Sequence, residues 1–139
     1  TRYGRDWSSD VCSSDLVNPA SIPPPNGTYS HGILIPRPEH LLFISGQVAI
    51  DRAGDIPDSL EAQAELVWGN IHAILEEAGM SMAHVVKIMS FITRSEDFAA
   101  FARIRAHHLG GHRPASTLLV VSALAHPKFV VEVEAIAVR

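Results

Sequence analysis

No stretch of this sequence is apolar for long enough to span a bilayer, and its start does not read as a secretory signal, so a cytoplasmic setting with no membrane partner is expected. Cysteine is almost missing. The single Cys12 cannot close an internal disulfide, which excludes a disulfide-stapled scaffold. Positive charge is not in excess either: 11 Lys and Arg stand against 15 Asp and Glu, the net charge is -4, and no basic run occurs. Without a basic field to neutralise phosphates, nucleic acid is not an expected partner. A Gly-rich phosphate loop, a Gly-x-Ser-x-Gly elbow and a His-Glu-x-x-His helix are all absent, so the familiar signs of nucleotide, serine-hydrolase and zinc chemistry are missing. Neither a cofactor nor a metal is expected.

What the chain has instead is apolar residues. They make up 47% of the sequence against 19% charged, which is rich for a small soluble monomer. Some of this apolar surface is expected to be covered by partner subunits, which makes a homo-oligomer the expected state. At 139 residues the chain is one domain, large enough to bury a core without staples.

The opening residues differ from the rest. Thr1 to Leu16 is polar and unperiodic, and Asp6-Trp7-Ser8-Ser9-Asp10-Val11-Cys12-Ser13-Ser14-Asp15-Leu16 is what a common sequencing-adapter oligonucleotide encodes when read in frame. The expectation is that 1-16 is an adapter artefact or a disordered tail, and that the folded domain runs over 17-139. Setting the segment aside also removes Cys12, and with it thiol nucleophiles and Cys-based zinc sites.

From Asn18 to Asn26 four prolines mark an extended lead-in, followed by a turn at Gly27 and a short strand over Tyr29 to Pro36. His40 to Ile50 alternates as a strand with Gly46 inside it. A capping box at Asp58 and Glu61 predicts a helix reaching Ala78, with Val67, Ile71, Ile74 and Leu75 on its apolar face and Gly79 as its stop. His84 to Arg94 is apolar on both faces and should be central in a sheet. Ser95 or Asp97 can cap a second helix, Phe98 to Leu109, ended by Gly110-Gly111. Ala115-Ser116-Thr117 then leads into Leu118 to Val121, read as a buried strand, and Phe129 to Val138 forms the last strand. The order β-β-α-β-α-β-β is that of an α+β protein with two helices on one sheet.

Three groups of residues could carry chemistry. Around Arg113-Pro114-Ala115-Ser116-Thr117, hydroxyls and backbone N-H groups sit at a strand's mouth, placed either to hold a small ligand or simply to close a loop on the core. Gly46 marks either a bulge or a close approach by a ligand or another backbone. Glu132 and Glu134 share one face of the last strand, roughly 7 Å apart, either as a general acid or base working through a water or as a solvated or interface pair. His107, His108 and His112 invite a metal reading, but the glycines between them break the helix and the helix dipole favours histidines there without any metal. His31 and His126 are lone loop histidines.

Gly27-Thr28-Tyr29-Ser30-His31, Phe43-Ile44-Ser45-Gly46-Gln47, the helix Glu61 to Gly79, Val85-Val86-Lys87, Asp97-Phe98-Ala99, Pro114-Ala115 and Val131-Glu132-Val133-Glu134-Ala135-Ile136-Ala137 together resemble the RidA (YjgF/UK114) family. The resemblance implies a chorismate-mutase-like α+β subunit, a homotrimer with a central barrel, and ligand pockets in the clefts between subunits. It also implies hydrolysis of reactive enamines and imines, released by pyridoxal-phosphate enzymes, to a 2-keto acid and ammonia without cofactor or metal. Carried over by position, Glu132 would direct the attacking water, Tyr29 would line the pocket and Gly46 would offer backbone contacts. The family's Pro-Ala-Arg-Ser arginine, which clamps a substrate carboxylate, is replaced here by Ser116, and Thr28 stands where a proline is usual. A serine cannot reproduce a planar fork that makes two charge-assisted bonds. Either another cation such as Arg113 or Arg94 swings in, or Ser116, Thr117 and Leu118 line a pocket for a ligand without a carboxylate. In that case the substrate scope is shifted. The rival expectation is a trimer that binds a small metabolite without turning it over.

Overall fold

The computed structural model describes residues 15-139. Thr1 to Ser14, which hold Cys12 and most of the adapter-like run, lie outside the described residues. Asp15 and Leu16, assigned by sequence to the leading segment, belong to a short strand β1 (Asp15–Val17) that pairs antiparallel with β2 (Gly32–Leu34). This ribbon stands apart from the main sheet. The main sheet contains β3 (Leu41–Val48), β4 (Val85–Ile92), β5 (Ala115–Val120) and β6 (Val131–Val138) in the order β3-β6-β4-β5. β6 pairs antiparallel with both β3 and β4, and β5 joins β4 in parallel, a connection that needs the intervening helix.

Two helices cover one face, as the alternation of the strands demands. Helix α1 (Leu60–Glu77) buries Leu60, Ala64, Val67, Trp68, Ile71 and Leu75, the 3.6-residue stripe of a core-packing helix. Helix α2 (Phe98–Leu109) adds Phe101, Ile104 and Leu109. From the sheet, Ile88, Ile92, Val131, Val133 and Ala137 meet them with no exposure at all. Gly79 and Gly110, both at positive φ (68° and 56°), end the helices where a side chain would be strained. Polar residues enter this core too: Gln63 is fully buried, donating to the carbonyls of Pro57 (2.8 Å) and Lys128 (2.7 Å) and accepting from Val130 N-H (3.0 Å).

Four expectations need correction. The cap of α1 is Ser59, whose Oγ accepts from Ala62 N-H at 3.1 Å, and not an Asp58–Glu61 box. Asp97 occupies the cap position of α2 without capping it, because its carboxylate is taken by Arg94 Nε at 2.8 Å. The expected Tyr29–Pro36 strand shrinks to Gly32–Leu34, since Ser30 N-H is already given to Pro114 O (3.1 Å) beside β5. Likewise β5 is an edge strand and not a buried one, with Leu119 and Val120 44% and 52% exposed. An apolar run says that a strand wants cover, not that its own subunit supplies it.

Candidate functional site

The side chains singled out from sequence divide into two groups on opposite sides of the sheet. The first lies on the face that the helices leave open. In β3 the pairing with β6 slips between Ile44 and Gln47, so Ser45-Gly46 forms a bulge. A methyl group at Gly46 would run into Glu132, whose Cγ lies 3.2 Å from where that carbon would stand. The bulge reading of Gly46 holds, and what closes on the backbone it leaves bare is the Glu132 side chain of the same chain. Two residues on, Glu134 turns to the same side and, with Ser45, Lys87, Met89 and Phe43, lines a cavity of about 490 Å³. Lys87 Nζ donates to Thr117 Oγ1 at 2.9 Å, which places Thr117 on this side as well.

The second group lies at the β5 edge on the helix side. Alternation along β5 sends Ser116 and Leu118 opposite to Thr117, into a cavity of about 370 Å³ walled by Tyr29, Phe98, Ala102 and Arg105 together with the 26-28 loop. The loop is tied down beside β5. Ser30 Oγ donates to Arg113 O at 2.8 Å, Ser30 forms an isolated parallel bridge with Ala115, and Tyr29 Oη donates to Asn26 Oδ1 at 3.3 Å. Arg113 stands at the rim, its guanidinium donating to Gly27 O at 3.4 Å. Arg94, the other candidate replacement for the missing cation, is paired with Asp97 and half exposed.

Arg105 is the residue that sequence reading missed. It projects from α2 with only 7% exposure, and its nearest polar partner is Ser116 Oγ, 3.4 Å from Nη1. A signal was available: Phe101, Arg105 and Leu109 fall at i, i+4 and i+8, so an arginine sits in the buried stripe of a helix. Burial holds its guanidinium below the ordinary arginine value, though arginine stays charged in proteins.

The histidines go to other tasks. His112 Nε2 donates to Val85 O at 2.6 Å, His31 Nε2 donates to Pro23 O at 2.8 Å, and His126 Nδ1 accepts from Lys128 N-H at 3.1 Å. His108 Nε2 donates to Glu65 Oε2 at 2.7 Å while its ring stacks on Trp68. Among the described residues no group of three or more His, Cys, Asp or Glu side chains is placed to hold a metal ion, and no helix is long and apolar enough to cross a membrane.

Two helices over a mixed four-stranded sheet, with cavities of small-molecule size at its open face and its edge, define an α+β domain of the Rid type. Comparison with known proteins agrees. A family model described as endoribonuclease L-PSP matches residues 20-139, and the chain belongs to this family, the RidA (YjgF/UK114) proteins. It is 36% identical to a RutC family protein of Pyrococcus horikoshii over 90% of this chain and 98% of that one. It is 32% identical to TdcF of Escherichia coli, which is named provisionally as a reactive intermediate deaminase, over 89% of this chain and 96% of the relative. Among solved structures, the Rid-family protein YyfB of Yersinia pestis superposes with a TM-score of 0.81 at 30% identity, covering 91% of this chain and 98% of its own.

Proposed function

We propose that this protein is a RidA-like small-molecule hydrolase acting on an imine, an enamine or a related carbonyl compound, with Glu132 directing the attacking water. The observation that carries the reading is the Glu132 carboxylate folded over the Gly46 bulge on the open face of the sheet. There it can reach a water and a ligand without a side chain from β3 in the way. In the reaction the carboxylate takes a proton from water as the oxygen attacks the C=N carbon, giving a carbinolamine. That proton passes to the nitrogen to complete the neutral carbinolamine; the carboxylate then moves the carbinolamine's hydroxyl proton to the amine, and the C-N bond breaks to release ammonia as the C=O forms. Water and imine go in; carbonyl compound and ammonia come out. Neither a metal nor a cofactor is needed for that balance.

Within one chain Glu132 and Ser116 lie on opposite sides of the sheet. We therefore place the working site in a cleft between subunits of a homotrimer, where one copy's open face meets another copy's β5 edge. The apolar side chains left bare at both places, Phe43 at 69% and Val120 at 52%, support such packing. Tyr29, Gly46, Ser116, Thr117, Leu118 and Arg113 would line that cleft. The second reading, a metabolite-binding trimer without turnover, is favoured by Ser116 in place of the family's arginine.

Ammonia release from 2-iminobutanoate generated in situ tests the two. Glu132→Gln is expected to lower protein-dependent release by about 10²- to 10⁴-fold, the usual size of a general-base effect, while leaving ligand affinity within about twofold. Undiminished release would remove Glu132 from the mechanism; no release from the unaltered protein would leave the binding reading.

A further inference from the structure

We propose that Arg105, acting from helix α2 with Ser116, is the anion clamp of the edge cavity, so that the ligand carries a carboxylate although the β5 arginine is gone. The inference deepens the proposed function and rests on it for the ligand's skeleton, but it concerns binding alone.

Arg105 is more than nine-tenths buried, and its guanidinium lines the cavity that Ser116, Leu118 and Tyr29 also line. Its hydrogen bonding is far from complete. A guanidinium has five N-H donors, yet only one, Nη1, reaches a partner, Ser116 Oγ at 3.4 Å, and Nε is buried with none. No carboxylate lines the cavity among the described residues, and Arg105 forms no ion pair with any of them. The face of Phe101, 6.0 Å from Cζ, offers some attraction to the cation. It satisfies no N-H, and a buried charge without a counter-charge is among the costlier arrangements a fold can hold. An arrangement of this kind is offset when an anion arrives, and the planar fork matches a carboxylate in two parallel bonds.

The neighbouring geometry fits the same ligand. Ser116 Oγ sits beside the fork as a further donor, Arg113 adds a second cation at the rim, and Tyr29 with Phe98 and Leu118 makes the wall apolar for a short carbon chain. Position 116 lies in β5 directly against α2. The short serine there leaves room for an arginine from the helix to reach the cavity, so the cation at this edge is supplied by α2.

Binding of 2-oxobutanoate and of butan-2-one, which has the same skeleton without the carboxylate, can be compared by titration calorimetry on the full chain. The unaltered protein should prefer the keto acid by about 10- to 100-fold, the range of a charge-assisted pair. Arg105→Met should erase the preference and Arg105→Lys should keep part of it, with circular dichroism confirming the fold. Should Arg105→Met fail to fold, Ser116→Asp decides. It supplies a tethered carboxylate at the fork, and is expected to raise the melting temperature while abolishing keto-acid binding. Equal affinity for the two ketones, no keto-acid binding at all, or undiminished binding in Ser116→Asp overturns the clamp. Keto-acid preference without ammonia release would instead sink the hydrolase reading and leave the clamp standing.

Discussion

The two faces of the sheet are made by the same four strands, residue by alternate residue, and end in opposite states. Toward the helices, Ile88, Ile92, Val131, Val133 and Ala137 are sealed under Trp68, Ile71 and Phe101. On the other side Phe43 and Leu41 are 69% and 54% exposed, and Lys87, Glu132 and Glu134 stand among Met89, Phe91 and Ile136. A strand with apolar residues on both sides expects cover on both sides. The chain's own helices supply one cover and leave the other face with its polar residues still reachable. The packed core and the polar residues of the open face are thus separated by the thickness of one sheet, so Gly46 and Glu132 stand clear of the core.

This separation can be broken most severely from the closed side. Trp68 is fully buried, stacked on Phe101 at 6.4 Å and on His108 at 5.9 Å. Trp68→Ala removes that volume where the surroundings cannot collapse, and should cost about 3-5 kcal/mol in denaturant unfolding. The matching substitution on the open side is Phe43→Asp. Phe43 touches little within its own chain, so the intrinsic stability of the subunit should change by less than about 0.5 kcal/mol. Sedimentation velocity should instead show the mass falling to that of one chain, because a charge is placed where the proposed trimer is dry. Equal losses of stability from the two variants, with no change in mass, would mean that the faces do not differ in the way argued.

Much of this layout could be read from sequence because it depends on local periods. The 3.6-residue stripe of α1, the alternation of β6 and the stops at Gly79 and Gly110 each need only neighbouring residues, and each was found. The bulge at Gly46 was legible for the same reason. The site was less so. Parity along β5 puts Ser116 and Thr117 on opposite sides, but nothing within either segment links the parity of β5 to that of β6 across the 121-130 connection. That Ser116 and Glu132 face apart therefore emerges only when the strands are paired. Arg105 was passed over because an arginine in a helix is ordinarily a solvated one, and its burial depends on β5 ending beside it as the sheet's edge. Lys87, quoted only as part of a motif, owes its place to β4 lying between β5 and β6.

A third layer sharpens the contrast, at the smallest expected effect. Where α1 meets α2 on the outer side, Glu65, His108 and His72 form a chain. His108 Nε2 hydrogen-bonds Glu65, and its Nδ1 shares a hydrogen bond with His72 Nε2 at 3.2 Å, with His107 edge-on to the same ring. Desolvation first, and the charge of His108 second, lower the His72 value below its ordinary 6.5. A histidine whose folded value is depressed is held neutral by the fold, so the unfolded chain takes up the proton first. The stabilising contribution is complete above about pH 6.5 and is lost as pH falls through that value toward the folded one. His72 is largely exposed, so the loss should be small, a shallow decline in melting temperature between neutral pH and about pH 5. His72→Asn keeps a polar side chain and removes the titration. Its melting temperature should decline less steeply over the same window, whereas Phe43→Asp should leave the subunit's acid response as it was. Parallel declines in His72→Asn and the unaltered chain would move the acid response away from the helix seam, and the sheet's carboxylates would then be the next groups to vary.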